Sequence, residues 1–240
     1  FDTAKRMTLR ELMQASPLGC VGMFLIGGVF SAQFGMSAVY ATEAGLKLHQ
    51  VSLFAASFYV GALFMQFPLG FLSDRMDRRV LIMFVAGIAG VTSVMAMMLS
   101  GSFILLLIAA FTIGGLINPL YSLLLAHTND FLDHDDMASA SGGLIFINGL
   151  GACSGPVIIG WLMSDAVFGP NGFFLFMAVL LGVLVAYAGY RATQRSTIPV
   201  EETGVMPAMS PSVTSVAVEV AQEYAIETEL EEQENAAATG

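Results

Sequence analysis

Charge is what this sequence has least of. Only 12% of its 240 residues are Asp, Glu, Lys or Arg, while 56% are hydrophobic, and the mean hydropathy is +0.75. A chain this poor in charge cannot cover a water-soluble fold of its size, and the composition is that of a polytopic membrane protein. Cysteine is nearly absent: Cys20 and Cys153 both fall in apolar stretches and suggest neither a disulfide framework nor a metal site. No nucleophile elbow, phosphate loop or zinc-protease pattern occurs. No signal peptide is evident, and the chain starts at Phe1 rather than Met, so a piece is expected upstream.

The acidity is local. Nine of the nineteen acidic residues are glutamates of 196–240, which hold no Lys or Arg, so residues 1–195 carry a net charge of only −1. Proline, at Pro199, Pro207 and Pro211, opens this stretch. The expectation is a solvated, disordered tail over 191–240, and its sign argues against nucleic acid as a partner.

A membrane helix needs about 20 mostly apolar residues. Six such runs are present, near 17–41, 50–72, 80–99, 103–126, 138–163 and 172–190. They predict an all-α, six-helix membrane bundle over 17–190, preceded by a short segment at 1–16. If the helices alternate, one side receives Lys5, Arg6, Arg10, Arg75, Arg78, Arg79, Arg191 and Arg195, and the other Lys47 alone. By the positive-inside rule both ends of this chain are cytoplasmic, in a cell (inner) membrane.

The few charges are knotted together. "GFLSDRMDRR", residues 70–79, interrupts stretches with no formal charge at 48–73 and 80–129. A positive-inside loop accounts for the arginines alone. The pattern Gly70-x-Leu72-Ser73-Asp74-Arg75-x-x-Arg78-Arg79 resembles the signature between the second and third helices of the major facilitator superfamily. By that resemblance Asp74 latches the cytoplasmic ends of two six-helix halves in the outward-facing state, supported by Arg75, Arg78 and Arg79, with Gly70 permitting close helix approach. Asp77 stands where the strong form has glycine, which fits the copy in the second half better. "NPLYSLLLAHTNDFLDHDDMASASGGL", residues 118–144, is similar to the region joining helices ten and eleven in a bacterial branch of the superfamily, and "GACSGPVIIG", 151–160, has the G-x-x-x-G-P form of its drug/proton antiporters. Residues 103–126 lack the basic residue usual in first halves, and "KRMTLRELMQASP" looks like a central loop entering helix seven. The resemblance implies a C-terminal half, helices seven to twelve, with an N-terminal six-helix half as its partner.

Polar residues inside the spans are candidates for a solute path. Gln33, Ser37 and Tyr40 fall at i, i+4 and i+7; Tyr59 and Gln66 share a face of the second span; Asn118 and Asn148 sit near the middle of the fourth and fifth, with Ser141 on the face of Asn148. Each singly reads as interhelical glue, and together they read as a cavity lining. No span carries a charge at mid-membrane, where one costs about 2.5–3.5 kcal/mol. A protonating group is therefore expected in the other half, with Glu43, His127 and Asp130 the nearest ones here. His127 and Asp130, at i and i+3, are a candidate cytoplasmic gate. Gly27, Ser31 and Gly35, and Gly151 with Gly155, read as packing surfaces, while Pro119 and Pro156 predict kinks. "DHDD", 133–136, reads as a helix cap, with a metal site as the rival.

These features predict a secondary active transporter moving a small solute by alternating access, proton-coupled and without a cofactor or metal. Two other classes stay open: a non-transporting six-helix scaffold or regulatory protein, and a membrane-embedded metal-dependent enzyme using 127–136.

Overall fold

The computed structural model describes residues 7–194 apart from 100, 133 and 165. Residues 195–240 of the expected tail, with Lys5, Arg6 and Asp133, thus lie outside the described residues, while residues 191–194, expected to open that tail, continue the last helix.

A short helix, α1 (Leu9–Ala15), precedes the bundle. It starts where Thr8 and Glu11 cap each other: the Glu11 amide donates to Thr8 Oγ1 at 3.3 Å and the Thr8 amide to Glu11 Oε2 at 2.7 Å. Ser16 ends α1 and begins the first span, its hydroxyl accepting from the Gly19 amide at 3.3 Å with Pro17 at the first helical position. That span, Pro17–Glu43, has three parts: α2 (Pro17–Phe30), a π-helical segment (Ser31–Met36) and α3 (Ser37–Glu43). The others are α4 (Leu48–Ser73), α5 (Arg78–Met98), α6 (Phe103–Asn129), α7 (His134–Leu162) and α8 (Gly172–Gln194), the last entered through a 3-10 turn at Gly169–Asn171. Six apolar spans were expected and six are present among the described residues, each within a few residues of the expected ends.

Short connections make successive spans antiparallel. The main neighbours are α2 with α7, α4 with α6 and α5 with α8, followed by α5 with α6 and α2 with α8. Exchanging α2 with α6, α4 with α7 and α5 with α8 maps this set of neighbours onto itself. The first and fourth spans run in opposite directions, so the bundle consists of two three-helix units of inverted orientation.

Glycine sets the tightest seams, and it does so in both units. A Cβ at Gly27 would lie 2.0 Å from the Asn148 carbonyl oxygen, and one at Gly151 2.0 Å from that of Phe24. In the related pair, a Cβ at Gly61 would lie 1.9 Å from the Phe111 oxygen and one at Gly114 2.2 Å from that of Phe58. Backbones this close gain dispersion contacts that lipid tails cannot supply. Gly155 also belongs to this surface, since a Cβ there would overlap the Ser31 hydroxyl. Gly35, expected to extend the stripe, does not: a Cβ there would meet open space. It lies within the π segment, whose wider turn rotates it off the α2 face.

Pro68, Pro119 and Pro156 stand inside α4, α6 and α7, where each removes one backbone hydrogen bond from the ladder. In apolar surroundings, α2 and α6 form the centre. In the most apolar window of each span, 78% of residues are buried in the first and 61% in the fourth, but only 17% in α4 and 22% in α7. Large apolar side chains cover the outer faces of those two helices, among them Phe64, Phe67, Val157 and Trp161.

Candidate functional site

The charged knot folds into a corner of the bundle. Asp77 caps α5, its Oδ1 accepting from the Arg79 amide at 2.9 Å, which accounts for an acid where the signature has glycine. Arg78, directly inside that cap, turns back into the bundle. Its Nη1 pairs with Asp130 Oδ1 and donates to the Ala126 carbonyl at 3.3 Å, while Nε donates to Ser73 Oγ at 3.4 Å. The side chains of Arg78 and Asp130 are only 3% and 5% exposed. One guanidinium therefore joins the end of α4, the start of α5 and the end of α6. The planar fork of arginine suits this task, because it can serve several acceptors at once.

The other knot residues face different surroundings. Arg79 is also buried, its guanidinium 5.7 Å from the Phe131 ring centroid, whereas exposed Arg75 lies 3.4 Å over the Phe71 ring. Asp74 is exposed at the C-terminal cap of α4. Gly70, expected to allow close helix approach, has open space where its Cβ would be. Of the candidate gate, His127 is buried with its ring edge-on to Phe131 at 5.1 Å, and shares a small cleft with Ser16, Arg79 and Arg191. Asp130 is the partner of Arg78, across 52 residues of sequence.

Deeper in the bundle the candidate path residues separate into three groups. Gln33 and Asn118 meet: Asn118 Nδ2 donates to the Gly114 carbonyl at 2.9 Å and, more weakly, to Gln33 Oε1 at 3.5 Å. One turn away Phe30 lies against Tyr121 at 6.0 Å, and Phe30 against Phe34 at 5.5 Å; Phe34 in turn meets Tyr59 at 5.4 Å. These rings run from buried Tyr121 to exposed Tyr59. Gln33 is 2% exposed, yet its Nε2 has no hydrogen-bond partner. Leaving such a donor unpaired costs about 1–3 kcal/mol. Ser37 is buried nearby on the chain, and Gln66 is half-buried on α4.

Asn148 belongs to the packing seam, donating from Nδ2 to the Met23 carbonyl at 3.0 Å beside Gly27. Ser141 is satisfied within α7 through the Met137 carbonyl at 2.9 Å. Tyr40 is the third group. It lies fully buried against Phe173 (4.8 Å, stacked), Phe174 (4.9 Å, edge-on) and Phe54 (5.4 Å), with its hydroxyl unpartnered. Here the aromatic body matters and the hydroxyl does not. Tyr40→Phe is expected to leave thermal stability unchanged or raise it by up to about 1 kcal/mol, while Tyr40→Ala is expected to cost about 3–5 kcal/mol. Thermal unfolding in detergent distinguishes the two.

Asp136 stands in the first turn of α7, where a carboxylate complements the helix dipole. Among the described residues no group of three His, Cys, Asp or Glu could hold a metal ion.

The sequence reading missed the π segment, the Arg78–Asp130 tie and the ring row. The back-bonding hydroxyl of Ser31, 2.6 Å from the Gly28 carbonyl, opens the π segment, but serine does the same in many unbroken helices.

Two inverted three-helix units, glycine seams and a buried arginine tie at one end define a membrane bundle of the kind found in transporters with internal repeats. The Major Facilitator Superfamily model matches residues 19–221, and the chain belongs to that family. It is 27% identical over 188 residues to the Bacillus subtilis (strain 168) protein described as the uncharacterized MFS-type transporter YfkF, covering 75% of this chain and 46% of that protein. The chain thus spans about half the length of that curated relative. Its fold is similar to the crystal structure of an auto-inhibited POT family peptide transporter, with a TM-score of 0.66 at 14% identity, over 78% of this chain and 39% of that one.

Proposed function

We propose that the chain is one six-helix half of a secondary active transporter that moves a small solute by alternating access, coupled to protons, in the inner membrane. The two thinly buried helices carry this reading. With only 17% and 22% of residues buried in their most apolar windows, α4 and α7 have outer faces that no described residue covers, and they flank the well-packed first and fourth spans. A second half covering α4 and α7 would leave a solute path between the halves, lined from α2, the π segment and α6. The arginine end would face the cytoplasm, a placement that the uneven distribution of basic residues supports.

In this scheme exposed Asp74, with open space above Gly70, is the surface that meets the other half. Asp74→Asn is expected to slow transport about 5- to 150-fold, the usual scale of a coupling free energy, while membrane insertion is unchanged. Unimpaired flux by that variant in proteoliposomes would refute the latch. The reading as a whole rests on a second half. An intact native mass near twice this chain's 25.4 kDa, together with saturable solute flux, is expected. A native mass near 25.4 kDa and no flux of any solute would instead favour the scaffold.

A further inference from the structure

We propose that the Gln33 amide, with the ring row beside it, recognises an uncharged, ring-bearing solute through an acceptor oxygen of the amide-carbonyl type. The proposal rests on the transporter reading and names the class of its solute.

The orientation of the Gln33 amide is fixed by its neighbour. Asn118 Nδ2 is committed as a donor to the Gly114 carbonyl, so the edge of Gln33 that faces Asn118 must be its oxygen. Nε2 then points away from Asn118, and both of its hydrogens lack an acceptor although the side chain is 2% exposed. A buried donor with nothing to donate to asks for an acceptor from outside the chain.

The surroundings restrict what can bring that acceptor. Phe30 and Tyr121 lie one helical turn from Gln33 and Asn118, and Phe34, next to Gln33 in sequence, lies tilted against exposed Tyr59. The row leads from exposed Tyr59 on α4 to Tyr121, one helical turn from Asn118, and flat rings pack well against such side chains. The middle of every span lacks Asp, Glu, Lys and Arg. A carboxylate ligand would lose its hydration without a counter-charge, and an ammonium would meet a donor instead of an acceptor. A neutral amide carbonyl fits the donor and needs no counter-ion. Gln33 belongs to the π segment, from which its side chain meets Asn118 of α6.

The test uses three single-ring probes of similar size: N-methylbenzamide, benzoate and benzylammonium. Their binding to the purified native protein in detergent is ranked by saturation-transfer NMR, with Gln33→Met and Gln33→Glu as variants. The expected result is binding of the amide in clear preference to both ions, weakened at least about fivefold in Gln33→Met. Preference for either ion, binding of none of the three, or an unaltered amide signal in both variants would overturn the class. The ranking in the unmodified protein stands even if a variant fails to fold. Transport is measured separately, so a protein that ranks the probes as expected but moves no solute would contradict the transporter reading and leave the recognition site intact.

Discussion

Asp130→Ala is expected to destabilise the bundle by about 3–5 kcal/mol, because it leaves the Arg78 guanidinium charged and nearly inaccessible to water. Arg78→Ala should do comparable harm from the other side, removing the guanidinium that pairs with Asp130 and donates to Ser73, while the Ala126 carbonyl keeps its bond from the Asp130 amide. The pair itself contributes far less than these losses suggest. Removing both charges with well-packed apolar residues, as in Arg78→Met with Asp130→Leu, is expected to restore most of the stability, since neither ion then has to be desolvated. A double-mutant cycle read by thermal unfolding in detergent would show strong coupling between the two positions. Additive, small effects would mean that water reaches this corner. The contrast with Asp74 is instructive: it is exposed, so Asp74→Asn should alter transport and barely alter unfolding.

Gly151→Val is expected to prevent α2 and α7 from docking. Even the first added carbon would sit 2.0 Å from the Phe24 carbonyl oxygen and 3.1 Å from the Gly28 nitrogen, both backbone atoms that cannot rotate aside. The helices must separate along the whole seam, which also strips Asn148 of its bond to the Met23 carbonyl. Overpacking in rigid surroundings costs about 1–3 kcal/mol for a small addition and more when backbones move apart. Gly151→Ala should therefore lower stability measurably, and Gly151→Val should leave little folded protein on size-exclusion chromatography. Gly149 supplies the control on the same helix, since a Cβ there meets open space. Gly149→Ala is expected to stay within about 1 kcal/mol of the unmodified protein, on the favourable side through helix propensity. Equal effects at 149 and 151 would contradict the seam.

The spans were legible because the membrane leaves few choices. Every backbone polar group must be satisfied within its own helix, so length and hydropathy suffice to locate six spans. The Gly151 seam was legible for a similar reason: a four-residue glycine spacing has few uses in an apolar helix. Side-chain partners were harder to foresee. The sequence reading makes Arg78 a support for Asp74 and does not foresee its pairing with Asp130, at the end of a helix 52 residues further along. Local spacing carries no information about which helix ends meet at a corner. Tyr40 and Gln33 were placed on one stripe by α-helical arithmetic, and the structure separates them: Gln33 meets Asn118, while Tyr40 enters the Phe54, Phe173 and Phe174 cluster. The arithmetic failed because the intervening turn is not α-helical. Gly35 was misplaced for the same reason.

That turn also sets how the span would answer a deletion. A π turn spans one residue more than an α turn, so Ser31–Met36 is equivalent to a regular helix carrying a single-residue insertion. Each residue of an α-helix advances the chain by about 100°, and the wider turn takes up the extra residue, so the stretches before and after it keep their faces. Deleting one residue within 31–36 should therefore restore a regular helix and leave Tyr40 among Phe54, Phe173 and Phe174. Related chains with a one-residue gap at this point are then expected to keep an aromatic side chain at the place of Tyr40.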